Sequence, residues 1–139
     1  MAEVILVTGS YDRTLIFWDA YDGVPKYTIE YGDKDKLLIN KIESSPDKKY
    51  LACGGNVFAS FYDIISMKPN PIHVFDGFKN NITGIGFVKD GGYIYSCSED
   101  GFIRIHDIRS NKVSKEIQEK ESITCVALHP NESELIFGD

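Results

Sequence analysis

Hydrophobic residues along this chain fall in short runs of Val, Ile, Phe, Tyr and Thr, each bounded by Gly, Pro, Asn or Asp. That pattern predicts strands joined by tight turns. FIRIHDI (102–108) alternates apolar and polar at period two, which predicts a half-buried strand. VILVT (4–8) is continuously apolar, which predicts a strand covered on both faces. Asp22-Gly23, Asp90-Gly91 and Asp100-Gly101 supply turns, because Gly takes positive φ without steric cost. One segment resists: KVSKEIQEKE (112–121) is rich in helix formers, with Val113 and Ile117 four apart. Its phase nevertheless predicts a strand or loop, where Lys26–Ile29 and Ile72–Phe75 sit in other units.

The phase comes from an internal repeat. VTGSYDRTLIFWDA, ACGGNVFASFYDI and YSCSEDGFIRIHDI align without gaps, and their anchor aspartates Asp19, Asp63 and Asp107 stand 44 residues apart. The same step relates the turn residues Asp12, Asn56 and Asp100, the small residues Thr8, Ala52 and Ser96, and the ring residues Trp18, Tyr62 and His106. A looser register adds Tyr50 and Tyr93, 43 apart, and turns at Pro46-Asp47, Asp90-Gly91 and Pro130-Asn131.

Each unit offers about four strands, and an isolated sheet of that size cannot bury both faces. Radial stacking hides the faces and leaves short edges, the β-propeller solution; a sandwich gives no reason for a fixed period. A period of about 40–45 residues with Trp-Asp resembles the WD repeat. The expected fold is therefore all-β, an incomplete WD-repeat propeller. The units are a first blade (4–31) lacking its innermost strand, a second (37–77), a third (81–121) and the start of a fourth (122–139). Even four blades at this period need more than the 139 residues present. The expectation is an open three-blade arc with unpaired edges at Val4–Val7 and near Leu135, prone to associate with other copies.

Composition narrows the function. The chain is 42% hydrophobic and 26% charged, as soluble globular chains are. A net charge of −6 argues against nucleic acid and against anionic membrane surfaces. No apolar run approaches the roughly 18 residues of a membrane span, and Met1-Ala2-Glu3 lacks the basic segment of a signal peptide. Three cysteines without a CxxC pair fit a reducing, cytoplasmic setting. Cys53 and Cys97 share the register slot of Gly9, and Cys125 aligns with Gly84, so all three read as small buried residues. His73, His106 and His129 are too scattered for a zinc site, and no Gly-rich phosphate loop precedes a helix, so neither metal nor cofactor is expected. Asp33-Lys34-Asp35-Lys36 reads as a solvated loop.

Thr8, Asp12 and Trp18, and again Ser96, Asp100 and His106, resemble three members of the hydrogen-bonded tetrad of a WD repeat. In that family a His before the innermost strand bonds the Asp, and the Ser or Thr bonds the ring nitrogen. The register explains Ser96, Asp100 and His106 as structure, so a catalytic triad is not expected and the chain is read as non-enzymatic. Ala52, Asn56 and Tyr62 predict a weaker network in the second unit. The family's Gly-His pair is absent: the corresponding positions hold Asp33-Lys34, Asn80-Asn81 and Glu121-Ser122.

More specific wording runs from end to end: VILVTGSYDRTLIFWDA, NPIHVFDGFKNNITGIGFVKDGGYIYSCSEDG, HDIRS and ALHPNESELIFGD. Through it the chain resembles the N-terminal part of the G-beta-like small WD-repeat subunits of TOR (target of rapamycin) kinase complexes. The resemblance implies a seven-bladed scaffold that binds and stabilises the TOR kinase domain. One face of the blades would carry Tyr11, Asp12, Arg13, Asn56, Phe78, Lys79, Asn80 and Asp100, with Tyr11, Arg13, Phe78 and Lys79 expected to touch the partner. The alternatives are another WD adaptor, such as a ubiquitin-ligase substrate receptor, and a truncated fragment without function.

Overall fold

A computed structural model of the chain describes residues 4–30 and 38–139. Tyr31, Asp33 to Lys36 and the start of the second unit at residue 37 therefore lie outside the described residues. Thirteen strands are found among those described: β1 (Ile5–Gly9), β2 (Thr14–Asp19), β3 (Pro25–Glu30), β4 (Ile39–Ser44), β5 (Tyr50–Gly55), β6 (Ala59–Asp63), β7 (His73–Phe75), β8 (Ile82–Phe87), β9 (Tyr93–Ser98), β10 (Phe102–Asp107), β11 (Lys112–Gln118), β12 (Cys125–Leu128) and β13 (Leu135–Gly138). They form four antiparallel meanders in chain order: β1-β2-β3, β4-β5-β6-β7, β8-β9-β10-β11 and β12-β13. This is an incomplete β-propeller. Among the described residues β1 pairs with β2 alone and β13 with β12 alone.

The core lies between the sheets. Leu15, Phe17 and Ile29 of the first sheet meet Ile39, Leu51, Cys53 and Tyr62 of the second. Ala52, Ala59 and Phe61 of the second meet Ile82, Phe87 and Ile94 of the third. A smaller cluster of Cys97, Ile103 and Ile123 joins the third to the fourth. The contact is close enough to require glycine: a methyl at Gly54 would stand 2.6 Å from Ile82 Cγ2 across the boundary.

The 44-residue anchor has a local cause. Asp19 Oδ1 accepts the backbone N–H of Tyr21 (2.9 Å) and Asp22 (3.2 Å). Asp63 does the same for Ile65 and Ser66, and Asp107 for Arg109 and Ser110. Each carboxylate closes the turn leading to its sheet's outermost strand, as short acidic side chains do in Asx turns. Those bonds, led by the N–H of Tyr21, Ser66 and Arg109 respectively, hold the three carboxyls below their ordinary value.

The resistant segment is strand β11. It pairs with β10 from Phe102↔Gln118 to Asp107↔Lys112, with a bulge between Ile105 and His106. Pairing with a placed neighbour overrides local helix propensity. Two other expectations are reversed. β1 is not covered on both faces: Val4 and Leu6 are 46% and 55% exposed, because no sheet lies over that side among the described residues. β10 is not half-buried in the expected sense, since its polar Arg104 and His106, at 5% and 0% exposure, are buried along with Ile103. It sits in a sheet packed on both sides, so its polar side chains are enclosed and must find partners.

Candidate functional site: the turn face of the repeats

The β1–β2, β5–β6 and β9–β10 turns carry Tyr11, Asp12, Arg13, Asn56 and Asp100, the linker that enters the third sheet carries Phe78, Lys79 and Asn80, and Thr8, Trp18, Ser96 and His106 lie on the flanking strands. In the first unit, Trp18 Nε1 donates to Thr8 Oγ1 at 2.8 Å. Asp12 is exposed and turns inward on its own loop, accepting from Thr14 Oγ1 (2.6 Å) and Thr14 N (2.9 Å). Those bonds, the hydroxyl first, lower its carboxyl's pKa. Arg13 holds a left-handed backbone at φ 73°, and Tyr11 projects with 68% exposure.

In the second unit Ala52 offers no hydroxyl to the buried Tyr62 ring. Asn56 is half-buried, and its backbone N–H donates to Leu38 O at 3.1 Å.

The third unit is the most tightly bonded. Ser96 Oγ and His106 Nε2 are 2.9 Å apart and both residues are fully buried. His106 Nδ1 has no partner among the described residues. Burial, reinforced by the Arg104 and His73 charges, pushes the imidazole's pKa down to about 4. The neutral ring with its proton on Nε2 therefore fits the site, leaving a lone pair rather than an N–H unsatisfied at Nδ1.

Asp100 does not join this pair. Its Oδ2 accepts Lys79 N (3.1 Å) and Arg104 Nη1 (3.3 Å), and its Oδ1 accepts Phe102 N (3.1 Å). Burial pushes the carboxyl's pKa up, but the Lys79 and Phe102 amides and the guanidinium together hold it below the ordinary value. Ser96, Asp100 and His106 thus form no relay that could activate a nucleophile.

Sequence reasoning missed Arg104. Its Nε donates to Glu116 Oε2 at 2.7 Å and its Nη2 to Gly77 O at 3.4 Å. The guanidinium carbon lies 4.7 Å from the Phe78 ring centroid and 4.6 Å from that of Phe102, at cation–π distance. The available signal was a lone cation in a strand where the register places Ile16 and Ser60.

Two expectations are corrected here. Phe78 is 6% exposed, drawn under the face by Arg104 and His106, so its ring is not on the open surface. Lys79 next to it is exposed, as is Tyr11. Cys125 is exposed rather than buried, because β12 carries no further sheet on that side among the described residues, while Cys53 and Cys97 are buried. Burial pushes the Cys53 thiol up to about 12. No group of three or more His, Cys, Asp or Glu among the described residues is placed to hold a metal ion, and no helix there is long and apolar enough to cross a membrane.

Comparison with known proteins agrees with this architecture. Residues 3–19 and 69–107 match the WD domain, G-beta repeat family. The chain is 41% identical over 134 residues to "Target of rapamycin complex subunit LST8-1" of Arabidopsis thaliana, covering 96% of this chain and 43% of that protein. It is 40% identical over 138 residues to "Target of rapamycin complex subunit LST8" of Mus musculus, covering 98% and 41% respectively. The chain therefore spans less than half the length of these relatives. The crystal structure of the RRP9 WD40 repeats superposes with a TM-score of 0.78 over 88% of this chain and 38% of that one, at 17% identity.

Proposed function

We propose that this chain, which matches the WD domain, G-beta repeat family over residues 3–19 and 69–107, serves as a non-enzymatic binding scaffold in a TOR complex, seated on the kinase domain in the cytoplasm. The observation carrying this reading is identity near 40% across almost the whole chain with proteins named as TOR complex subunits. The fold supplies a physical reason. Turns held on stacked sheets present a broad surface at little ordering cost, which favours recognition of another protein.

On this reading the sheets are blades of a seven-bladed ring. Residues 4–31 form a blade without its innermost strand, 37–77 and 81–121 form two whole blades, and 122–139 begin a fourth. Thr8, Asp12 and Trp18, with Ser96, Asp100 and His106, are structural. Tyr11, Arg13 and Lys79 are the contact residues, with Phe78 supporting Lys79 from beneath.

Affinity capture tests the proposal: the tagged chain, expressed in cells, should recover TOR kinase, and Tyr11→Ala with Lys79→Glu should reduce recovery at least tenfold. Repeated failure of the wild-type chain to recover the kinase overturns it. Self-association through β1 is a second reading, favoured by the exposed Val4 and Leu6 beside an apolar trough lined by Ile42, Leu51 and Ile64. Light scattering at micromolar concentration checks it, and a monomer excludes it.

A further inference from the structure

Resting on the face reading above, we infer that Arg104 is the positioning residue of blade 3, holding the 77–80 linker, and with it Lys79, in the binding face.

The resemblance to WD repeats implies a His ahead of the innermost strand as partner for the turn aspartate, and this chain has Asn80-Asn81 there. Arg104 fills the vacancy from a different place, the third strand of the same sheet. It grips the linker in two ways. Directly, Nη2 donates to Gly77 O and the guanidinium lies against the Phe78 ring. Indirectly, it pairs with Asp100 Oδ2, the oxygen that also receives Lys79 N. Glu116 on the outermost strand fixes the other edge of the guanidinium.

Gly77 has φ +87°, a left-handed backbone just before Phe78, where backbone freedom is greatest. An anchor there decides where Lys79 points. A planar fork is required: lysine supplies the charge but cannot reach Glu116, Asp100 and Gly77 together while lying between two rings. The other repeats have Ile16 and Ser60 at this register position, so the brace is particular to blade 3.

Amide exchange in the full chain tests the inference. Arg104→Lys should accelerate exchange at Lys79 N–H about tenfold or more, while the Ser96 and Ile94 amides of β9 change by less than about threefold. Arg104→Met should do the same. If that variant fails to fold, Asp100→Asn, which keeps the side-chain shape, should give the same local acceleration at Lys79. Unchanged exchange at Lys79 overturns the inference, and so does a uniform rise across β8–β11, which marks general destabilisation. Kinase capture is a separate arm: if wild-type chain captures no kinase the face reading fails, whatever the exchange shows. If wild-type chain does capture it, Arg104→Lys should lower capture as Lys79→Glu does, and undiminished capture overturns Arg104's role in the face.

Discussion

The Thr83 hydroxyl donates to the carbonyl oxygen of Ile123 at 2.6 Å, across the boundary between two sheets. Asn40 repeats the contact one sheet earlier, its Nδ2 reaching Ile82 O at 3.5 Å. In both strands the donor is the unpaired residue of a bulge: the register passes from Ile39↔Gly55 to Lys41↔Gly54, and from Ile82↔Ser98 to Gly84↔Cys97. A bulge frees one residue from its own ladder and re-aims its side chain, here toward the next sheet. The second and third units are thus each fastened to the next by a side-chain bond from the innermost strand.

Replacing Thr83 with Val should therefore destabilise the fold by about 1–2 kcal/mol, since the Ile123 carbonyl loses its side-chain donor. Thr83→Ser, which keeps the hydroxyl, should cost clearly less. Urea unfolding followed by tryptophan fluorescence distinguishes the two, and a larger loss in Thr83→Ser than in Thr83→Val would show that the methyl, not the bond, matters.

Equivalent positions should respond unequally in the two ring pairs. Thr8→Ala removes an exposed partner of Trp18 Nε1, which water replaces, so the loss should stay below about 1 kcal/mol. Ser96→Ala strips a fully buried His106 of its hydrogen-bond partner and should cost about 1–3 kcal/mol. Parallel melting curves check the order.

The fold should weaken on mild acidification. In the unfolded chain His106 takes up a proton near pH 6.5, whereas in the folded chain it does so only near pH 4. Between those values the unfolded state binds more protons, so stability falls as pH drops, by up to about 3 kcal/mol. The depressed carboxyls of Asp19, Asp63 and Asp107 act in a lower window: their stabilisation is present above the ordinary value of 3.8 and is lost below it. Unfolding measured from pH 7 to 4 should show the His106 slope, and His106→Gln should flatten it.

Thiol labelling should separate the cysteines. In the native chain Cys125 should react with a maleimide within minutes, and Cys53 and Cys97 only on unfolding, because burial both shields them and disfavours their thiolates. Mass spectrometry that finds two or three labels on folded protein contradicts the packing described.

Much of this architecture was legible in the residues. Asp19, Asp63 and Asp107 announced the repeat because each closes its own turn with bonds to residues two and three positions on, a local requirement that any chain making this turn meets. The strands between them followed from β-branched runs and Asp-Gly turns for the same reason. The Ser96–His106 pair could be placed because both residues follow the 44-residue step, from Ala52 and Tyr62 of the preceding unit.

What the residues did not determine alone depends on neighbouring sheets. VILVT reads as doubly covered, yet Leu6 stands open; FIRIHDI reads as half-solvated, yet Arg104 and His106 are enclosed. Alternation along a strand marks which side chains share a face, but what lies over that face belongs to a segment some 40 residues away. Arg104 became a brace and Phe78 a buried support only when the 77–80 linker came to lie against β10, and Thr83 a fastening only when the next unit brought Ile123 O within reach. Sequence determined the strands and their period through local chemistry. Tertiary structure decided burial and the polar contacts made from one sheet to the next, because both are properties of the space between sheets.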